Sequence, residues 1–296
     1  MAKSGPGHTL RTYGGLVLGV FGLAAIVAIL FIANIEPMEN YENPSYPRFE
    51  GQYAPINPQI GDTVKIVTWN IKFSQQIDEA IETLHDTPVL QDADILLLQE
   101  MDETGVQAIA ETLNYNYVYF PASIHTEHGR NFGNAILSTW PISNAEKLIL
   151  PRQNRFNKQK RIAVRALVHI GPADVLTYSV HTETFWLGPQ GRGEQVQAVA
   201  NTVAPDYDFD YVIIGGDFNT ITPASTANIG QRLAAHGLVR LSKGAGYTAK
   251  AGQIRFTLDH IFGSDVPVLD KGVYRETTAS DHYPLWVEVG RAQTPE

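Results

Sequence analysis

Polar residues of a narrow set recur where apolar runs end. Asn70 closes VKIVTWN, Glu100 closes DILLLQE, His181 closes DVLTYSVH, and Asp217 with Asn219 closes YVIIGGDFN. Asp259 and His260 belong to LDHIF, and Ser280-Asp281-His282 comes just before the last apolar run, 285–289. Strands end where burial ends, so a polar residue there is ordinary. The choice of acids, amides and imidazoles, with few lysines or serines, is not. Carboxylates and carboxamides suit hard divalent cations such as Mg²⁺, and imidazole beside carboxylate suits proton transfer near neutral pH. Together they describe metal-assisted hydrolysis of a phosphate ester.

In YVIIGGDFN, residues two apart in an extended segment point the same way, so Asp217 and Asn219 can meet one ligand. The competing reading is a strand-ending turn, for which Gly, Asp and Asn are ordinary residues.

These side chains need a frame. Apolar density predicts strands from Thr63, over 94–99, 162–170, 174–180, 211–214, 258–262 and 285–289, and in YNYVYF and GNAILSTWPI. Helical patterning falls over 76–85, 105–113, 194–203 and 229–236. Many strands with few helices between them predict an α+β fold of two packed sheets with helices outside. The chain of 296 residues is 44% hydrophobic and 18% charged, enough for a large core. It has no cysteine, so a metal must be held by oxygen or imidazole. The net charge of -9 disfavours nucleic-acid binding by a general basic surface but permits a local basic cleft.

The N-terminal part differs. A short basic tail, 1–13, with Lys3 and Arg11, precedes an uncharged apolar run, 14–33, long enough to cross a bilayer as a helix. The run exceeds a signal-peptide core and lacks a good cleavage site, so an uncleaved transmembrane helix over 14–35 is expected. Basic residues before it and Glu36, Glu39 and Glu42 after it put the N-terminus in the cytoplasm and the rest in the periplasm or outside. Residues 36–61 carry five prolines and read as a tether, leaving 62–296 as the catalytic domain.

From about Val64 to Val289 the chain resembles the endonuclease/exonuclease/phosphatase superfamily, which includes deoxyribonucleases, apurinic endonucleases, neutral sphingomyelinases and inositol-polyphosphate 5-phosphatases. The matching segments, in the family's order, are TWNI, LLLQE, GNAILSTWPI, SVHTE, GGDFN, LDHIF and SDHYPL. The resemblance implies a four-layer α/β/β/α sandwich and a Mg²⁺-dependent phosphoesterase, with Mn²⁺ as a substitute. It implies Glu100 as principal metal ligand with Asn70 and Asp281 near it, His282 as acid or base, and Asp259 orienting it. Asp217 would position or deprotonate water, Asn219 would donate to a phosphate oxygen, and His181 would complete the catalytic set. The two glycines before Asp217 would let the backbone pass close to the phosphate. Lys72 stands where apurinic endonucleases carry a metal-binding acid, which argues against a second tight metal site and abasic-site cleavage. The expected partners are a phosphodiester, from a lipid headgroup or nucleic acid, and the bilayer, with no obligate protein partner. The alternative is a non-catalytic binding module on the same scaffold. His125, His128 and His260 read as structural, and the basic run Arg152, Arg155, Lys158, Lys160 and Arg161 as a solvated loop.

Overall fold

The computed structural model describes residues 35–56, 58–203 and 209–290. The chain divides into two units, Met1–Pro37 and Met38–Glu296. The basic tail and the expected membrane span lie outside the described residues, save Ile35. Among the described residues no helix is long and apolar enough to cross a membrane.

The larger sheet contains β1 (Glu39–Asn40), β2 (Phe49–Gly51), β3 (Thr63–Asn70), β4 (Ile95–Met101), β5 (Asn116–Ile124) and β6 (Asn131–Ser138). β15 (Val268–Val273) and β16 (Leu285–Gly290) complete it in the order β1-β5-β6-β4-β3-β16-β15, with β2 also on β5. The second sheet contains β7 (Ile142–Ile149), β8 (Ile162–Ile170), β9 (Ala173–His181), β10 (Tyr211–Asp217), β11 (Val239–Arg240) and β14 (Asp259–Gly263). Its order is β11-β14-β10-β9-β8-β7, and β12 (Ala249–Ala251) with β13 (Ile254–Phe256) forms a separate hairpin. The helices are α1 (Ile77–Asp86), α2 (Glu103–Leu113), α3 (Gly188–Ala200) and α4 (Pro223–Ala234).

Period-two alternation sorts the strand residues into layers. Ile66, Ile95, Leu97, Val164, Ile213, Ile261 and Val287 share one core contributed by both sheets. Their neighbours point the other way: Val67, Trp69, Leu96 and Leu98 meet Leu84, Val106 and Ile109 of α1 and α2. On the far side Leu176, Tyr178, Ile214 and Phe262 meet Val196, Ile229 and Leu233 of α3 and α4. Two sheets face each other and each carries helices outside, as expected. Each fully buried Leu or Ile here contributes roughly 1.5–3 kcal/mol.

Two expectations need correction. The glycines before Asp217 serve packing within the protein: a Cβ on Gly215 would lie 2.5 Å from Leu97 Cδ1 of the opposite sheet. One on Gly216, whose φ is +147°, would lie 1.9 Å from the Val180 carbonyl oxygen. The region read as a tether is also partly folded, because β1 and β2 pair antiparallel with β5. Met38 is buried, and the buried Lys147 Nζ donates to the carbonyls of Tyr46 at 3.0 Å and Tyr41 at 3.3 Å. Residues 38–51 therefore belong to the sandwich. Proline content misled here because Pro44 and Pro47 fall between the short strands, where no ladder N–H is required.

Candidate active site

The parity that builds the inter-sheet core also aims the site. Asn70 shares the face of Ile66, His181 that of Val175, Asp217 that of Ile213, and Asp259 that of Ile261. β3 and β4 are parallel neighbours, as are β9 and β10, so their C-terminal ends lie together. β14 runs antiparallel to β10 and pairs Asp259 with Asp217 at its start. All four side chains thus reach one end of the crevice between the sheets.

Glu100 gets there by a different route. Simple alternation would put it with Leu96 and Leu98, facing the helices. The β4–β6 ladder instead shifts register between Leu98 and Met101, and Glu100 takes φ +58°. The bulge turns the carboxylate toward Asn70 and returns Met101 to the helix-side core.

His282 comes from a loop pinned from three sides. Its N–H donates to Ser280 Oγ at 3.2 Å, and Ser280 Oγ donates to the Asn70 carbonyl at 2.7 Å. The Trp69 indole N–H donates to the His282 carbonyl at 2.9 Å.

The polar groups form one network. Asn70 Nδ2 donates to Glu100 Oε1 and to Asp217 Oδ2, both at 3.1 Å. Asp217 Oδ1 accepts from the Asn219 N–H at 2.8 Å, and the Asn219 side chain donates to the Thr182 carbonyl at 3.1 Å. His282 Nδ1 lies 2.9 Å from Asp259 Oδ2, and its Nε2 lies 3.8 Å from Asp217 Oδ2. His181 Nε2 lies 3.5 Å from the same Asp217 oxygen and 3.8 Å from Glu100 Oε1. The Arg161 guanidinium approaches His181 Nδ1 at 3.3 Å. Since guanidinium can only donate, Nδ1 accepts and the proton of neutral His181 sits on Nε2.

Burial sets the protonation states. It pushes Asp217 up to about 7, with Asp259 and Glu100 adding to the rise and His282 opposing it. Burial also raises Glu100, against the pull of Arg161, Asn70 and His282. In His282 burial favours the neutral ring, but the carboxylates of Asp259, Asp217 and Glu100 outweigh it and raise the pKa to about 10. In His181 burial acts first, and the charges of Arg161 and His282 add to it, holding the ring well below its ordinary value.

The structure brings together Asn70, Glu100, His181, Asp217, Asn219, Asp259 and His282. Asp281 differs: it is exposed and pairs with Lys72 at 3.4 Å, so part of its charge is neutralised. His260 faces Phe218 and Phe262 on the helix side, away from the site. His125, Glu127 and His128 form a separate group on the β5–β6 loop.

Sequence reasoning missed Arg161, which is buried and paired with the fully buried Glu183 at 3.6 Å. It also missed Asn134, whose buried amide donates to Ile162 and Ser179 carbonyls and so ties β6 to the second sheet. Arg161 hid within a basic run whose other members behave as expected, with Arg152 on Glu194 and Lys160 on Glu42. Its position directly before the buried strand β8 was the available signal.

The residues fit a hard divalent cation. Asn70 Oδ1 and Asp259 Oδ1 are buried without a hydrogen-bond partner, and the donors are oxygen and imidazole throughout. Asp217, Asp259 and His282 also bring ligand-type atoms within 4.8 Å of one another.

Two packed sheets with carboxylates, amides and imidazoles gathered at one end of their crevice define a metal-dependent hydrolase of phosphate esters. The sequence profile of the Endonuclease/Exonuclease/phosphatase family matches residues 67–282, and the chain belongs to that family. Comparison with curated proteins finds no match. Among solved structures, a humanized D. rerio TDP2 is 18% identical with a TM-score of 0.63, over 78% of this chain and 100% of that one. A family protein from Leptotrichia buccalis C-1013-b is 18% identical at TM-score 0.63, over 77% and 100%. D. rerio TDP2 complexed with a single-strand DNA product is 18% identical at TM-score 0.60, over 78% and 100%. At these identities the likeness speaks for the fold.

Proposed function

We propose that the chain is a Mg²⁺-dependent phosphodiesterase, anchored in a membrane by the apolar run 14–33 with its catalytic domain on the far side. The observation that carries the chemistry is the geometry around Asp217, whose Oδ2 lies 3.8 Å from Nε2 of the Asp259-paired His282 and 3.5 Å from Nε2 of His181. Asp217, raised to about 7, is a carboxylate able to take a proton from water near neutral pH. Its Oδ1 is fixed by the Asn219 N–H and its Oδ2 by Asn70, which leaves little freedom to rotate. His282, held protonated by Asp259, presents Nε2–H as a donor to a phosphate oxygen or a leaving alkoxide. It keeps 13% of its side chain exposed, the opening through which substrate reaches it. His181, neutral with Nε2 3.5 Å from Asp217 Oδ2 and 3.8 Å from Glu100 Oε1, faces both acids without adding a positive charge between them.

Glu100 and Asn70 Oδ1 would hold the cation, with Asp281 near the rim in competition with Lys72. When bound, the metal would neutralise phosphate charge and help to orient the ester. No observation favours the non-catalytic alternative, since a binding module gains nothing from a buried acid–imidazole pair.

The test is hydrolysis of bis(4-nitrophenyl) phosphate by the full-length protein. Activity with Mg²⁺, its loss on chelation and its loss in Glu100→Gln support the reading. Hydrolysis that survives chelation contradicts it.

A further inference from the structure

Beside the catalytic end lies a second concave feature. A groove of about 600 Å³ runs along the first turns of α4 and past β11, with Thr220, Arg240, Lys243, Arg255 and Thr257 in its wall. No aspartate or glutamate lines it. The chain has 31 acidic residues and 22 basic ones, so a wall with three cations and no acid runs against the composition. Among the described residues none of the three forms an ion pair.

Each cation is poised differently. Arg240 is partly buried and its Nε has no hydrogen-bond partner. Arg255 is exposed and its guanidinium lies over the Tyr247 ring at 4.9 Å. A guanidinium held over a ring still has N–H groups to offer an anion. Lys243 is exposed, with a mobile point charge. Like charges on one wall repel, and an anion between them relieves that repulsion.

The groove is coupled to the site by its inner wall. Thr220 directly follows Asn219, and Thr257 stands two residues before Asp259. The Thr220 hydroxyl donates to the Thr257 carbonyl at 2.8 Å and meets His260 Nε2 at 2.6 Å. The two segments that carry Asn219 and Asp259 thus have the catalytic centre on one side and the cationic groove on the other.

We propose that this groove is a subsite for a second phosphate of the substrate. It selects phosphodiesters that carry at least one further phosphate, along a chain or on a ring, over isolated diesters. The identity of the first phosphate rests on the phosphodiesterase reading above, whereas the groove's affinity for a phosphate anion stands apart from it. A nucleic-acid strand and a polyphosphorylated headgroup both present this chemistry. The acidic remainder of the surface restricts contact to the few phosphates nearest the site.

The experiment uses the full-length protein and the variant Lys243→Gln/Arg255→Gln, both exposed positions, with Arg240→Gln as a separate second variant. Binding of inorganic tripolyphosphate without metal is measured by calorimetry. In parallel, kcat/KM is measured for bis(4-nitrophenyl) phosphate, a short oligothymidylate and a soluble glycerophosphoinositol bisphosphate. Loss of two charged hydrogen bonds predicts at least ~10-fold weaker tripolyphosphate binding in the double variant. It also predicts a ~10-fold fall in the preference for one of the two polyphosphorylated substrates over the single diester, and the substrate that loses preference identifies the source. Tripolyphosphate binding equal to that of the parent protein overturns the proposal, as does an unaltered preference for both substrates. A parent protein that hydrolyses none of the three contradicts the phosphodiesterase reading instead, and the calorimetry still decides the groove.

Discussion

His181 and His282 flank the same oxygen of Asp217, at 3.5 and 3.8 Å, and both are largely withdrawn from water. They are nonetheless driven in opposite directions, His282 up to about 10 and His181 well below its ordinary value. Burial acts alike on both, so the difference lies in the partners. His282 leans on the Asp259 carboxylate, whereas His181 leans on the Arg161 guanidinium. One fold end therefore holds a charged and a neutral imidazole around one acid, which separates proton donation from positioning. Lys147, at the docked N-terminal strands, shows the third case. It is a buried cation with carbonyls for acceptors, and burial lowers its pKa to about 8 despite distant help from Glu42.

Replacing the charged imidazole should do most damage. His282→Ala is expected to lower kcat by ~10² or more while leaving the circular dichroism spectrum intact. A rate within a few-fold of the parent would remove His282 from the chemistry.

Asp259→Asn should have the next largest effect, and it changes the comparison itself. The carboxylate holds His282 protonated, so its loss lowers the pKa from about 10 toward the ordinary histidine value. The alkaline limb of the pH–rate profile should move to lower pH, with a ~10-fold loss of rate at pH 8. An unmoved limb would dissociate Asp259 from His282.

Arg161→Met should lower thermal stability because it strands Glu183, which is fully buried. Arg161→Met/Glu183→Gln should recover part of that loss, a coupling that calorimetric melts can read. Simple additivity would contradict the pairing.

The smallest effect concerns Lys147. Its folded pKa lies below the unfolded value, so the unfolded chain binds more protons between pH ~8 and ~10.5, and stability rises with pH across that window. Urea midpoints of the parent protein should rise more over this range than those of Lys147→Met. Parallel slopes would refute the assignment.

Much of this was legible from residue types. The apolar density of VKIVTWN and of DILLLQE pointed to two buried strands, and their polar last residues marked the site. The bulge that turns Glu100 was hidden, because its cause is the pairing of β4 with β6, some 35 residues away in sequence. β7 escaped because its alternation is broken by its own register shift between Ser143 and Glu146. α4 begins at Pro223, well before residue 229, where apolar periodicity starts; the signal there is the Thr222 cap followed by proline. Likewise α3 begins at Gly188 within a glycine-rich stretch that reads as loop, and is held by burial of Arg192 and Gln195. Arg161 and the groove cations were invisible because partner charge depends on tertiary neighbours, not on local composition.

The most direct test is heteronuclear NMR of the histidine ring nitrogens in the metal-free protein between pH 6 and 9. His282 is expected to remain a doubly protonated imidazolium across this range and His181 to remain neutral with its proton on Nε2. A neutral His282 at pH 7.5, or a protonated His181 in the same sample, would contradict that expectation.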